Sequence, residues 1–255
     1  MSSPATRFHL EGGVATITLD RPERRNALSA ELMDSLGDNL EQAASERDCR
    51  VVVLTNSGPA FCAGADLKGE GEVPRHSLPE LLSSILTHPK PVVGAIAGHC
   101  MGGGIGLAAA CDISVVSSEA RFGFREVRVG VAPAIISVVC LPKMRAGAAL
   151  ELFLTGAQVS AERAVAVGLV NHLAEPAGMR AKVDEIVGAL LEGAPGALAA
   201  AKALVHEVPR LGREEAFEWT ARLSAELFAS EEGREGRAAF AEHRPPAWSP
   251  GNGSA

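Results

Sequence analysis

Pro91-Val-Val-Gly-Ala-Ile-Ala-Gly-His-Cys-Met-Gly-Gly-Gly-Ile-Gly-Leu-Ala-Ala-Ala110 is mostly apolar and has about the length that spans a bilayer. It also holds six glycines and His99, and Asp112 follows closely. That much glycine disfavours one continuous helix. A buried strand over 91–96, a glycine turn and a buried alanine-rich helix over 104–111 fit the same residues better. This reading makes the chain an α/β protein rather than a membrane span.

The flanking sequence repeats the alternation. Val14 to Leu19 reads as a half-buried strand. Ser29 is placed to cap a helix running to about Ala44, with Leu32, Met33, Leu36 and Leu40 on one face. Val51 to Thr55 is a short apolar run of the kind buried on both faces. A short helix is expected over 78–86 and a strand over 113–116. Strands alternating with helices predict crossover connections. From about Pro195 only helical patterns remain, over 197–206, 213–230 and 236–242. We therefore expect a core of residues 1–194 and a helical region of 195–255, frayed from Arg244 onward.

The net charge of −7 argues against nucleic acid as a partner. A local basic cluster, Arg21, Arg24 and Arg25, reads equally as a solvated turn or as a seat for a phosphorylated small ligand. The five cysteines (49, 62, 100, 111 and 140) are odd in number and form no C-x-x-C pair. Free buried thiols in a reducing compartment are expected. The seven histidines show no metal-ligand spacing, and residues 1–10 carry no apolar stretch of the secretory kind.

Two glycine-rich turns carry the chemistry. Phe61-Cys-Ala-Gly-Ala-Asp-Leu-Lys68 and Gly102-Gly-Gly-Ile-Gly106 each follow a strand-like run. Two such turns can aim backbone N–H groups at one point, as an oxyanion hole requires. Phe122-Gly-Phe-Arg-Glu126 then supplies a carboxylate among apolar residues (Phe122, Phe124, Val127, Val129 and Val131) that would raise its pKa. A surface glutamate paired with Arg125 or Arg128 is the plainer alternative. Two other motifs compete. Gly98-His-Cys-Met-Gly102 matches a nucleophile elbow with Cys100 as nucleophile, and Asp112 or Asp184 with His206 as partners. Gly104-x-Gly106-x-x-Ala109 matches a dinucleotide fingerprint.

In order along the chain, Arg21-Pro-Glu-Arg-Arg-Asn-Ala-Leu28, the two glycine turns, the Glu126 segment, Ser160-Ala-Glu-Arg-Ala164 and Gly168-Leu-Val-Asn171 resemble the enoyl-CoA hydratase/isomerase (crotonase) family, from about Val14 to Arg244. The resemblance implies an α/β, crotonase-like spiral of ββα units with a C-terminal helical region. It also implies trimers that can pair into hexamers. It puts the oxyanion-hole donors at the N–H groups of Ala63 and Gly103, and proton transfer at Glu126. Contacts to CoA fall on Arg24, Arg25, Ala27, Ala65, Asp66, Leu67 and Lys68. Asp66 reads more simply as an acceptor within its own loop. Well-known hydratases carry a second glutamate where this chain has Gly106. Three activities then remain: a hydratase with one glutamate, an enoyl-CoA isomerase, or an acyl-CoA-binding protein with little turnover. The expected substrate is an acyl-CoA, of which CoA is a part. No metal or redox cofactor, and no nucleic-acid or membrane partner, is expected of this cytoplasmic homo-oligomer.

Overall fold

A computed structural model describes residues 4–66 and 73–249 of the chain. β1 (Thr6–Glu11) and β2 (Val14–Leu19) form an antiparallel hairpin, and α1 (Ala30–Ser45) then returns the chain to β3 (Val51–Asn56). The Ser29 hydroxyl accepts from the Leu32 N–H at 3.3 Å, so the expected cap is in place. β4 (Ala60–Cys62) and α2 (Leu78–Leu86) follow, then β5 (Val92–Ile96), β6 (His99–Met101) and α3 (Gly103–Ala110). The next turn holds β7 (Ile113–Ser117), β8 (Arg121–Gly123) and α4 (Ala134–Cys140). Beyond it come α5 (Ala146–Thr155), β9 (Gln158–Ser160), α6 (Ala161–Ala166), β10 (His172–Ala174) and α7 (Met179–Leu191). Three helices end the described chain: α8 (Pro195–Glu207), α9 (Arg213–Ala229) and α10 (Glu231–Ala241).

The strands fall into two sheets, ordered β1-β2-β3-β5-β7-β10 and β4-β6-β8-β9. β3, β5 and β7 of the first sheet each run on into a short strand of the second, β4, β6 and β8, and α2, α3 and α4 then carry the chain back. This is the spiral of ββα units that the resemblance implies. Burial on both faces of the first sheet explains the unbroken apolar run of β3. Val51 and Val53 pack with Val93, Val115, Met179 and Val183 under α7, while Val52 and Leu54 face the main core.

The second sheet places the chemistry. β4, β6 and β8 run parallel, with Cys62 opposite Cys100 and Met101 opposite Gly123. Their carboxyl ends therefore lie side by side, and Gly64, Gly102 and Glu126 all leave from that edge. Ligand sites of open α/β sheets occupy the same edge.

Ion pairs and hydrogen bonds tie the C-terminal helices to the core. Lys202 Nζ of α8 lies 2.8 Å from Asp112 Oδ2 and donates to the Ile85 carbonyl at 2.9 Å. The expected fraying from Arg244 does not hold for 244–249. Arg244 pairs with Glu235, the Trp248 indole N–H donates to the Glu192 carbonyl at 3.0 Å, and Arg50 donates to the Trp248 carbonyl at 2.9 Å. The remaining six residues lie outside the described ones. Among the described residues no single helix is long and apolar enough to cross a membrane; the one pair long enough together, 176–191 with 195–210, is bent by 107°.

Candidate active site

The first turn depends on Gly64, whose φ is +88°. A Cβ at this position would sit 3.0 Å from the Met101 carbonyl oxygen and 3.4 Å from the Gly103 nitrogen. Only glycine lets the two turns meet this closely. Gly102, with φ +49°, opens the second turn, and a Cβ on it would lie 3.3 Å from Glu126 Oε1. Gly103 begins α3, so its N–H has no carbonyl one turn earlier to bond. Both turns and Glu126 line one cavity of about 660 Å³, together with Arg25, His99, Arg125, Val129 and Val131.

Of the two donors expected, Gly103 faces the cavity free of any backbone acceptor among the described residues. Ala63 differs from expectation: its N–H already donates to the Arg25 carbonyl at 3.0 Å. An incoming oxygen would have to displace that bond. Two residues on, the Ala65 N–H takes no backbone acceptor among the described residues, and Ala65 lines the same cavity. The candidate donor pair therefore shifts to Ala65 and Gly103. The α3 dipole adds positive potential on the Gly103 side.

Glu126 opens a short 3-10 turn that Gly130 closes at φ +81°, with the Val131 N–H bonded to the Glu126 carbonyl at 3.1 Å. Its carboxylate is not a surface partner of the neighbouring arginines. Arg128 donates instead to the Thr155 carbonyl at 3.2 Å, and neither arginine forms an ion pair with Glu126. Glu126 Oε2 is buried and accepts no hydrogen bond. Burial lifts the carboxyl above its ordinary value, and a hydrogen bond from its own backbone N–H opposes this in part. Val129 and Val131 line the cavity as expected, Phe122 and Phe124 lie in the core below, and Val127 packs on the Gly156 side.

The arginine-rich loop is fixed by a residue whose role the sequence did not disclose. Asn26 is fully buried with φ +51°. Its Oδ1 accepts from the Arg21 N–H at 2.7 Å, and its Nδ2 donates to the Ser57 and Ala60 carbonyls at 3.1 and 2.8 Å. These bonds pin the loop to β4 and hold the Arg25 carbonyl against Ala63. A hint lay in the sequence, since asparagine tolerates the left-handed region better than its arginine neighbours. Asp66 forms an ion pair with Arg24 at 3.6 Å, a partner outside its own loop. Arg25 reaches the cavity, whereas Ala27 is half-buried behind the loop, where its N–H bonds the Arg24 carbonyl at 3.2 Å. Leu67 and Lys68 lie outside the described residues.

Gly106 is fully enclosed, and a Cβ built on it would come within 2.6 Å of Ile136 Cγ2 and 3.2 Å of Ile136 Cβ. Ile136 of α4 therefore occupies the space a second acid would need. The overlap should cost Gly106→Ala about 1–3 kcal/mol, against about 1 kcal/mol of helix preference for alanine. We expect a net Tm decrease of about 2–4 °C, read by thermal melt; an increase would mean that Ile136 moves freely.

The competing motifs do not survive. Cys100 is fully buried within β6, and burial pushes its thiol well above its ordinary value, which leaves no exposed thiolate. A Cβ at Gly104 would sit 2.5 Å from the Cys62 carbonyl oxygen, so this glycine and Gly106 serve close packing of α3 and leave no room for a pyrophosphate. His99 lines the cavity, and its Nδ1 accepts the Arg121 N–H at 3.2 Å. Asp38, Glu41 and His76 form the one metal-sized cluster among the described residues. It lies at the surface, where the Arg75 guanidinium already sits 2.7 Å from Asp38.

Residues 9–251 match the family model for enoyl-CoA hydratase/isomerase. A Thermus thermophilus protein provisionally named an enoyl-CoA hydratase is 39% identical over 92% of this chain and 97% of its own length. The carnitinyl-CoA dehydratase of Escherichia coli K12 is 33% identical over 93% of this chain and 95% of its own. Among solved structures, an enoyl-CoA hydratase of Mycobacterium smegmatis superimposes with a TM-score of 0.89 at 31% identity, covering 96% of this chain and 99% of that one.

Proposed function

Because this chain belongs to the enoyl-CoA hydratase/isomerase family, we propose that it adds water to an α,β-unsaturated acyl-CoA with Glu126 as sole acid and base. The ionised carboxylate takes a proton from water as the water oxygen bonds to the β-carbon. The double-bond electrons move to the thioester oxygen, which the N–H groups of Ala65 and Gly103 receive as an enolate. One such donor is worth about 3 kcal/mol in comparable sites. Glu126 then returns the proton to the α-carbon, and the thioester carbonyl re-forms. Atoms balance with no metal or redox partner. Arg24, Arg25, Ala27, Ala65 and Asp66, together with Leu67 and Lys68, would hold the CoA portion.

The observation that carries this proposal is the buried, unpartnered Glu126 Oε2 beside both glycine turns. Ile136 in the place of a second acid favours one further reading. An isomerase needs only one base, which would take a proton from C2 of a 3-enoyl thioester and return it to C4. Loss of the conjugated-enoyl absorbance of crotonyl-CoA tests hydration. Silence there, with double-bond migration in a 3-enoyl-CoA, selects the isomerase.

The base must be ionised to act, so kcat/KM should rise with pH through the Glu126 titration, centred above the ordinary glutamate value. Rates from about pH 4 to 8 would locate that limb. A midpoint at or below the ordinary value would remove Glu126 as a desolvated base. The reading also includes a homotrimer or homohexamer, supported by exposed Phe217, Phe228 and Phe240 on α9 and α10; a monomeric mass by light scattering would refute it. Five free thiols favour action in the cytoplasm.

A further inference from the structure

Hydration with one acid leaves half of the water unheld. Glu126 can take one hydrogen, and Ile136 fills the space in which a second acid would hold the other. Besides Glu126, four polar or charged side chains line the cavity of about 660 Å³: Arg25, His99, Arg125 and Gln158. The two arginines stand apart from the carboxylate, since burial and its own backbone N–H account for the shift of Glu126 with no share from a cation. His99 lies two residues back along β6, about 7 Å from the carboxyl edge, and its Nδ1 already accepts the Arg121 N–H. Gln158 stands at the edge itself. It opens β9, which runs antiparallel to β8, so Met101, Gly123 and Gln158 form one row across three strands. Side chains in such a row share a face. Gly123 in the middle has none, and a Cβ there would press within 3.1 Å of Met101 Sδ. The Gln158 amide reaches across it, with Nε2 3.9 Å from Met101 Sδ. Its Oε1 accepts no hydrogen bond among the described residues. Glu126 Oε1 lies beside the next residue, 3.3 Å from where a Cβ on Gly102 would sit. The amide and the carboxylate thus meet consecutive residues of one strand end, on the wall of one cavity.

We propose that the Gln158 amide holds the attacking water. Its Oε1 accepts one water hydrogen while Glu126 accepts the other, and the oxygen lone pairs then face the β-carbon. Glu126 carries its hydrogen to the α-carbon. The hydrogen on Gln158 stays with the oxygen as the product hydroxyl. The contact with Met101, a weak acceptor, occupies Nε2 and leaves Oε1 for the water. Glutamine suits this task because it carries no charge, so it orients water without opposing the ionisation of Glu126. A misplaced reactant costs about 10²-fold in comparable sites. The proposal rests on the hydration reading above.

Two reactions of the same protein test it. Hydration of crotonyl-CoA needs a held water. Exchange of the α-protons of butanoyl-CoA into D2O, followed by mass spectrometry, needs only Glu126 and the enolate donors. Gln158→Leu keeps an apolar contact for Met101 and removes the amide. It should lower kcat for hydration by about 10²-fold, with KM for crotonyl-CoA and the exchange rate each within about twofold of wild type. Gln158→Glu restores an acceptor for the water and should hydrate about tenfold faster than Gln158→Leu. Unchanged hydration in Gln158→Leu would overturn the role of Gln158 and leave Glu126 as the base of a hydratase. Equal loss of hydration and exchange would also overturn it, because the amide would then merely support the cavity wall. So would Gln158→Glu no faster than Gln158→Leu. Absence of hydration by the wild type, with or without exchange, would overturn the hydration reading and this proposal together.

Discussion

Glu126→Gln is expected to lower kcat by about 10²–10⁴-fold, the usual share of a positioned acid or base. The same change should raise thermal stability at neutral pH. The sign follows from burial. The folded protein holds the Glu126 proton to higher pH than an unfolded chain does. Between the two pKa values the native state binds more protons, so stability falls as pH rises, and above the folded pKa the whole loss is present. Glutamine carries no charge and escapes that loss. Melts of both proteins should therefore nearly coincide below the ordinary glutamate pKa and separate as pH rises, with the variant higher. Little change in kcat would remove Glu126 from the chemistry. A variant that melts lower at every pH would mean that the carboxylate is structural.

Asn26→Ala should be the most damaging change outside the chemistry itself. It strips partners from the Arg21 N–H and from the Ser57 and Ala60 carbonyls in one step. A buried polar group left unpaired costs about 1–3 kcal/mol, and alanine is less at ease at φ +51° than asparagine. A total of about 3–5 kcal/mol lowers Tm by about 6–20 °C in a chain of this size. The loop would also release its hold on the Arg25 carbonyl, so KM for an acyl-CoA should rise. Asn26→Asp keeps the acceptor for Arg21 but turns an oxygen toward two carbonyls, and should be no better. A Tm within about 1 °C of wild type in the alanine variant would show that the loop is held by other means.

The elements found from sequence are those long enough to display a period. β2 and α1 carry apolar residues at a regular spacing, β3 is an unbroken apolar run and α2 a short apolar helix; Pro91 to Ala110 holds the expected strand and helix, with the strand β6 between them where only a glycine turn was read. The three-residue strands β4, β6, β8 and β9 went unseen, because three residues cannot show alternation; yet they align the glycine turns. α7 was missed although Met179, Val183, Ile186 and Val187 share a face, since that stripe becomes decisive only against the valines of the first sheet. β1 escaped despite the Gly12-Gly13 turn, a hairpin signal with both φ positive. Within the site, residue type pointed to Glu126 and the glycine turns. Which N–H groups stay open depends on long-range pairing: the Arg25 carbonyl that engages Ala63 arrives from far upstream. The loss of a second acid at Gly106 could be read directly, whereas the side chain that fills its place could not.

The open edge of the small sheet has one more consequence. Ala65, Gly103 and Glu126 come from three successive coils of the spiral, one from each, stacked by the pairing of β4, β6 and β8. No single coil contains a working fragment, and each is idle until the next has been laid against it. On the proposed function, competence would be a property of winding: the three groups meet only when the third coil closes, so a partly wound chain would hold no complete site for a thioester.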